Sequence, residues 1–322
     1  MSYTVAIRTL GKSPQLKTEL EEIYAQSIKP ERVIIYIAEG YEKPDFRIAD
    51  EEYEWVKRGM VNQRLLSYDD IRSDYILMLD DDVALQPDSM EKLLNSIKEN
   101  DADLIGADTF RNHRLPLTTK IKGAVSNFVF PHFSQKWAFK IHKNGSFSYI
   151  NNPEKDFYPS QSCAGNAMLW KTASYKQLRM QDELWLDDLP FAYGDDMLES
   201  YKVFKNGMKP GVVFDSGITH LDNQSASGSF RKSPEFIKDR TKAMFSVWWR
   251  TCFKPGDTVF FSQLLTATAF SLKMTWLFFV FLSLSIVQLD CSYIANFLKG
   301  LSEGWKFVHS ETFRSLPPYV IK

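Results

Sequence analysis

Two kinds of hydrophobic spacing alternate at the start of the chain. TVAIRTL from Thr4, RVIIYIAEG from Arg32 and DYILMLD from Asp74 are apolar at nearly every position, the pattern of strands buried on both faces. Between the first two, SPQLKTELEEIYAQS sets Leu16, Leu20, Ile23 and Tyr24 at helical spacing, with Ser13 as a candidate N-cap and Pro14 in the first turn. A second helix is predicted near EWVKRGMVNQRLLSYDDI and a third over QPDSMEKLLNSIKEN. Strand, helix, strand, helix, strand, helix predicts an α/β fold whose parallel sheet carries crossover helices. Ligands of such sheets sit at the carboxyl ends of the strands.

The pattern loosens from Asp101 to Tyr158. DLIGADTF reads as a further strand, and RNHRLPLTTK and HKNGSFSYINNPEKDFYPS as loops or hairpins. SCAGNAMLWK follows, and in YGDDMLESYKVFKNGMKPGVVFD the pair Asp195 and Asp196 opens a helix, Asn206 and Gly207 close it, and GVVFD is a strand. Polar LDNQSASGSFRKSPE after it predicts a loop. From Thr258 to Leu289 the single charge is Lys273. That stretch is long enough to cross a bilayer. One crossing would export Lys299, Lys306, Arg314 and Lys322 against the positive-inside tendency, so an interfacial or re-entrant helical pair fits the pattern better than a spanning helix or a purely soluble helical appendage.

Composition narrows the function classes. With 39 basic and 40 acidic residues and 44% hydrophobic residues in 322, the chain shows no nucleic-acid footprint and no signature of disorder. Cys163, Cys252 and Cys291 have no metal-ligand spacing and fit a reducing compartment. MSYTVAIRTL lacks a basic start and an apolar stretch, so the first domain is expected in the cytoplasm.

Candidate chemistry concentrates in YILMLDDDVALQP. In an extended chain Asp80 and Asp82 would face one point and Asp81 turn aside, a geometry for one hard divalent cation shared with phosphates. Such an ion removes the repulsion between neighbouring carboxylates. Solvated aspartates at a strand end are the plainer alternative.

The order of VAIRTLGKSPQLKTELEEI, VIIYIAEG, GMVNQRLLSYDDIRSDYILMLDDDV, CAGNAMLWK and YGDDMLESYKVFKNG resembles the family 2 glycosyltransferases, with their GT-A fold and Asp-x-Asp motif, over roughly residues 1–250. FLKGLSEGWKF also looks like the hydrophobic tails of some bacterial polysaccharide and rhamnosyl-type transferases. The resemblance implies a mixed, mainly parallel sheet flanked by helices. Residues 1–100 would form a nucleotide-binding half and 101–250 an acceptor-binding half, followed by a hydrophobic helical tail over 251–322 at the cytoplasmic face of the inner membrane. It implies an inverting, metal-dependent hexosyl- or deoxyhexosyltransferase in cell-surface polysaccharide synthesis. The donor would be a nucleotide-diphosphate sugar and the acceptor a hydroxyl of a glycan or polyprenyl-linked glycan; homo-oligomerisation is left open.

By the same resemblance Asp82, with Asp80 and His220, would hold Mn²⁺ or Mg²⁺, and Asp80 and Asp81 would serve the donor. Asp196 would be the general base, with Asp195 its rival. Thr9, Glu39, Asn62 and Arg64 would border the nucleotide; Glu39 stands where the family commonly has Asp, which leaves the base open. Trp185 and Tyr193 are candidate acceptor platforms, whereas Trp170 suits the core. Arg231 and Lys232 are a candidate lid on the diphosphate. Two rival readings remain: a haloacid-dehalogenase-like Mg²⁺-dependent phosphatase, which also uses Asp-x-Asp at a strand end, and a non-catalytic membrane-associated sugar-binding subunit.

Overall fold

The computed structural model describes residues 1–109, 136–150, 152–221, 233–256 and 259–321, with Thr118, Ile121, Ala124, Val125 and Phe128 between them. The first half runs β1 (Tyr3–Thr9), α1 (Leu16–Tyr24), β2 (Arg32–Ala38), β3 (Glu52–Val56), β4 (Tyr75–Asp80), β5 (Val83–Leu85), α2 (Ser89–Glu99) and β6 (Leu104–Ala107). β7 (Phe139–Ile141) and β8 (Phe147–Tyr149) form a hairpin, followed by β9 (Phe157–Pro159) and β10 (Ala167–Lys171). Then come α3 (Thr172–Gln177), a 3₁₀ segment (Met180–Asp188), α4 (Asp195–Lys205), β11 (Pro210–Val213) and β12 (Ile218–His220). The last part holds α5 (Pro234–Trp248), a π segment (Trp249–Phe253), α6 (Phe260–Val287), α7 (Ser292–Val308) and α8 (Glu311–Arg314).

The central sheet has the order β3-β2-β1-β4-β10-β6-β11-β9. β1 pairs in parallel with β2 and β4, and β6 with β11, whereas β10 is antiparallel to both β4 and β6. Reversing β10 has a functional result: its amino end lies against the carboxyl end of β4, with Ala167 opposite Leu79 and the Asp80 N–H bonded to the Asn166 carbonyl at 3.1 Å. The loop before β10 is thereby delivered to the aspartates. Ile7, Ile35, Leu77 and Leu169 fill one face of the sheet and Ile34, Ile76, Met78 and Trp170 the other, all buried. Double burial explains the continuous apolar runs.

Several expectations change. The helix predicted near residues 54–71 is absent: β3 occupies its start, and the remainder is a turn-rich segment whose Val61, Asn62, Gln63, Arg64 and Leu65 are all buried. An amphipathic helix leaves one face in water, so five consecutive buried residues need another path. Asp187 supplies part of that path, its Oδ2 accepting from the Val61 N–H at 2.9 Å and the Asn62 N–H at 2.6 Å. Ser13 does not cap α1; its hydroxyl donates to the Asp81 carbonyl and so ties the start of the helix to the acidic loop. The predicted helical pair over 258–289 is one continuous helix, α6, which at 28 residues is about 42 Å long. α7 then turns back along α5, and Tyr319 beyond it is buried, its hydroxyl donating to the Leu198 carbonyl of α4 at 2.6 Å.

The C-terminal segments are joined to the body by buried charge. Glu183 accepts from Lys202 at 2.9 Å and from both Nε and Nη2 of Arg250, at 2.9 and 2.7 Å. Arg250 also donates to the Pro317 carbonyl at 2.7 Å. Against the cost of burial, Arg250 and Lys202 hold the Glu183 carboxyl below the usual range.

Candidate active site

The parallel register places Arg8 beside Asp80 on neighbouring strands. Arg8 grips both carboxylate oxygens, Nε on Oδ1 and Nη2 on Oδ2 at 2.9 Å. β4 ends at Asp80, and Asp81 and Asp82 lie in the turn to β5. Extended-chain alternation therefore stops at Asp80, and the expected convergence of Asp80 with Asp82 on one point is not what the loop builds. Asp80 faces arginines, Asp81 accepts from the Thr9 hydroxyl, and Asp82 Oδ2 meets His220 Nε2 at 3.2 Å. The last contact follows from pairing of β12 with β5, which sets His220 opposite Val83.

Arg64 is the hub, with 4% of its side chain exposed. Its Nη1 donates to Asp195 Oδ2 at 3.0 Å and Asp196 Oδ1 at 2.7 Å, and its Nη2 lies 3.5 Å from Asp80 Oδ1. Glu199 Oε2, one turn further along α4, stands 3.8 Å from Nη1. The guanidinium thus joins the end of β4 to the first turn of α4. Gly165 makes room for that junction, since a Cβ there would overlap Asp196 and stand 2.6 Å from Arg64 Cζ.

The charges respond to burial and to each other. Burial would raise the Asp80 carboxyl, but Arg8 and Arg64 hold it below the ordinary range. Asp81 is pushed up to about 6 by burial, partly opposed by the Thr9 hydroxyl. Burial, and next the neighbouring Asp196, raises Asp195 to about 6. Glu199 rises to about 8, mainly from burial, so its carboxyl is largely protonated at neutral pH. Strong perturbation of several groups where the end of β4 meets the start of α4 is a physical mark of a working site.

A cavity of about 420 Å³ opens beside these carboxylates. Asp195 and Asp196 border it together with Met60, Phe147, Tyr193 and Trp248. Apolar walls with a carboxylate edge are usual for a ligand pocket. Tyr193 also lies under the Arg240 guanidinium, 5.1 Å from ring centroid to Cζ. Trp185 is a correction: it is buried away from the cavity, its indole N–H donating to Glu183 at 2.9 Å and its ring packing on Phe307 and Phe313. It is a core residue. Trp170 is core as expected, with 0% exposure.

Among the residues expected to border a nucleotide, Thr9 is buried and its carbonyl accepts from Gln63 Nε2 at 3.0 Å. Asn62 is buried through the Asp187 contact, and Glu39 is exposed at the end of β2. Arg231 and Lys232 lie outside the described residues. Pattern reading missed Arg8, Gly165, Asp187 and Glu199. Only Arg8 carried a usable signal, a cation in a buried strand predicted to run beside the aspartates.

Among the described residues no three His, Cys, Asp or Glu side chains form a ready-made metal cage. Asp82 and His220 nevertheless suit a cation. Asp82 Oδ1 is buried with no hydrogen-bond partner among the described residues, an acceptor left open beside an imidazole and oriented by the same turn. A site of two protein ligands plus substrate phosphates is the common pattern for Mg²⁺, and an imidazole favours Mn²⁺ somewhat. Asp80 is held by two arginines in this arrangement, so as a third ligand it would share its oxygens with them.

Residues 36–163 match the model of Glycosyl transferase family 2. The match takes in the three aspartates and ends at Cys163, before Asp195 and Asp196. No curated protein matches the sequence. Two crystal structures of TarS 1–349 from S. aureus, one in complex with UDP-GlcNAc, superpose with TM-scores of 0.53 and 0.52 at 11% identity. They cover 97% of this chain and 83% and 82% of theirs. A mannosyltransferase from Pyrobaculum calidifontis in complex with GDP-Man and Mn²⁺ has a TM-score of 0.47 at 11% identity, over 97% of this chain and 82% of its own. At such identities the likeness concerns the fold, whose mixed sheet and flanking helices agree with the expected GT-A architecture and leave the dehalogenase-like reading without support. With the family match running through the strand that carries the aspartates, the chain is similar to Glycosyl transferase family 2 over residues 36–163 and shares the GT-A fold.

Proposed function

We propose that the protein transfers a sugar from a nucleotide-diphosphate donor to a hydroxyl acceptor, with inversion, between Asp82 and Asp196. The observation that carries this reading is the Arg64 hub, which holds the end of β4 and the start of α4 in one rigid unit beside a cavity. Transfer needs a stabilised leaving group on one side of the anomeric carbon and a base on the other. Asp82 and His220 would hold Mn²⁺ or Mg²⁺ against the donor diphosphate. That ion, when bound, supplies Lewis-acid neutralisation of the leaving group.

Asp196 acts from the cavity. Its side chain is 44% exposed against 17% for Asp195, so it is the better placed to accept the proton of the attacking hydroxyl. Arg64 fixes the rotamer through Oδ1 while Asp195 tunes the local field. Attack from the face opposite the diphosphate gives inversion. Thr9, Asn62 and Gln63 shape the nucleotide side, and Tyr193 borders the acceptor. The apolar cavity wall is in keeping with an acceptor bearing a hydrophobic portion, such as a lipid-linked glycan in surface polysaccharide assembly.

The test is Asp196→Asn, with transfer read as nucleoside diphosphate release and nucleotide binding read by calorimetry with Mn²⁺. Turnover falls at least a hundredfold while binding is retained. Equal activity in the variant would remove Asp196 from the base role, and unchanged biological function would favour the non-catalytic sugar-binding alternative.

A further inference from the structure

α6 is unusual in where its charge goes. Its one ionisable residue, Lys273, is 5% exposed, and its ammonium points into the body toward the Asn144 carbonyl at 3.4 Å. The opposite face, Phe261, Leu264, Thr268, Leu272, Thr275 and Phe279, is exposed and uncharged. These positions follow spacings of three and four, one continuous side of the helix. The Thr268 hydroxyl is satisfied within the helix by the Leu264 carbonyl at 2.9 Å, so it makes no demand on solvent. The turn after the helix continues the pattern, with Leu289 94% exposed.

Length and mean hydropathy alone, 28 residues at 1.8 over the most apolar window, would permit a span. Packing does not. The middle of α6 rests on the body, where Phe270 stacks on Trp248 at 3.8 Å between centroids. That contact takes one side of the helix away from lipid. α7 then returns, packing Phe297 on Phe281 at 5.1 Å and bringing Gly304 to α5, where a Cβ would stand 3.0 Å from that of Phe245. The tail closes on α4 through Tyr319 and through the Ile321 N–H, which donates to Asn206 at 2.6 Å. The chain on both sides of α6 therefore returns to the body.

α7 adds the chemistry that selects an occupant. Its exposed side carries Leu298, Lys299, Ser302, Trp305 and Lys306. Lysines beside an exposed tryptophan complement anionic headgroups above an apolar layer. We propose that the uncharged face of α6 and the Lys-Trp face of α7 form a one-sided docking surface for an anionic lipid bilayer, on which the protein rests without crossing. Trp248 lines the cavity and stacks on α6, so docking keeps the acceptor side of the site close to the lipid. The docking surface stands independently of the transferase reading.

The full chain is tested by flotation with phosphatidylcholine vesicles containing one quarter phosphatidylglycerol. Wild type floats; Phe261→Asp/Leu264→Asp/Phe279→Asp, at exposed positions, loses binding at least tenfold with an unchanged thermal melt and unchanged donor turnover on a soluble acceptor. Lys299→Glu and Lys306→Glu each weaken binding to these vesicles by about fivefold and leave binding to neutral vesicles unaltered. With Cys291→Ser as background, a Ser315→Cys reporter on vesicle-bound protein reacts with an impermeant maleimide added outside. Reaction only after detergent would mean a span and overturn the proposal. So would flotation indifferent to the triple substitution, or failure to float accompanied by self-association that the triple substitution abolishes.

Discussion

Gly165→Ala adds one methyl group at the junction of the site. A Cβ at this position would stand 2.6 Å from Arg64 Cζ, where carbon atoms normally approach to about 3.5–4.0 Å. About 1 Å must therefore be found. The backbone cannot easily supply it, because the adjacent Asn166 carbonyl is bonded to the Asp80 N–H at 3.1 Å and the Cys163 N–H to Ser200 Oγ at 3.0 Å. The displacement falls on the guanidinium and on Asp196, which it holds at 2.7 Å. A misplacement of about 1 Å in a catalytic group costs roughly a hundredfold in rate, or about 2.7 kcal/mol of barrier. Overpacking costs stability of about 1–3 kcal/mol, a drop of several degrees in Tm. The assay compares kcat from nucleoside diphosphate release with nucleotide affinity from calorimetry, at a temperature where the variant is fully folded. A loss confined to kcat supports the geometry. Wild-type kcat, or a loss of nucleotide affinity as large as the loss of turnover, would refute it.

Other consequences follow from the same contacts. Arg64→Met leaves Asp80, Asp195 and Asp196 crowded without their shared cation, and is expected to destabilise the fold by about 3–5 kcal/mol, measured by urea unfolding, and to abolish turnover. If ionised Asp195 is required, activity is full above its raised value of about 6 and falls tenfold per pH unit below it; a pH profile of kcat/KM with no limb near pH 6 would discount that requirement. Asp82→Asn and His220→Ala should each remove the Mn²⁺-dependent part of nucleotide-induced thermal stabilisation, with little change in the Tm of the unliganded protein. Glu183→Gln strands buried Lys202 and Arg250 at a cost of about 3–5 kcal/mol. Because the folded Glu183 carboxyl is held low, its contribution is complete above the unfolded value of about 4.3 and fades as pH falls through the folded value, so wild type and variant converge in acid.

Strands buried on both faces were legible because their apolar runs are a direct product of the sandwiching layers, as in β1, β2 and β4. α4 was legible from its ends, the acidic opening at Asp195 and Asp196 and the closure at Asn206 and Gly207, the latter with φ of +77°. The segment after β3 was not. Its path is set by Asp187, more than a hundred residues away, and by side chains buried on every side, so its local pattern imitates a helix. Trp185 was misread for a related reason: an aromatic near Asp195 in sequence faces the opposite way once the 3₁₀ segment turns it toward Phe313.

Arg64 shows most clearly what local pattern leaves out. In sequence it is one cation in a polar stretch, with surface exposure and a phosphate contact equally reasonable. In the fold it is buried and touches carboxylates from two distant parts of the chain. Burying it alone would be prohibitive, and crowding Asp80, Asp195 and the half-exposed Asp196 together without it would be costly as well. Each charge is tolerable only because the others are present, which couples the end of β4 to the first turn of α4. This coupling predicts non-additivity: Asp80→Asn and Asp196→Asn, which share the guanidinium but do not touch each other in the described contacts, should show an interaction energy of about 0.5–3 kcal/mol in a double-mutant cycle. Additive effects on unfolding free energy would mean that the two carboxylates are held independently and that Arg64 does not join them.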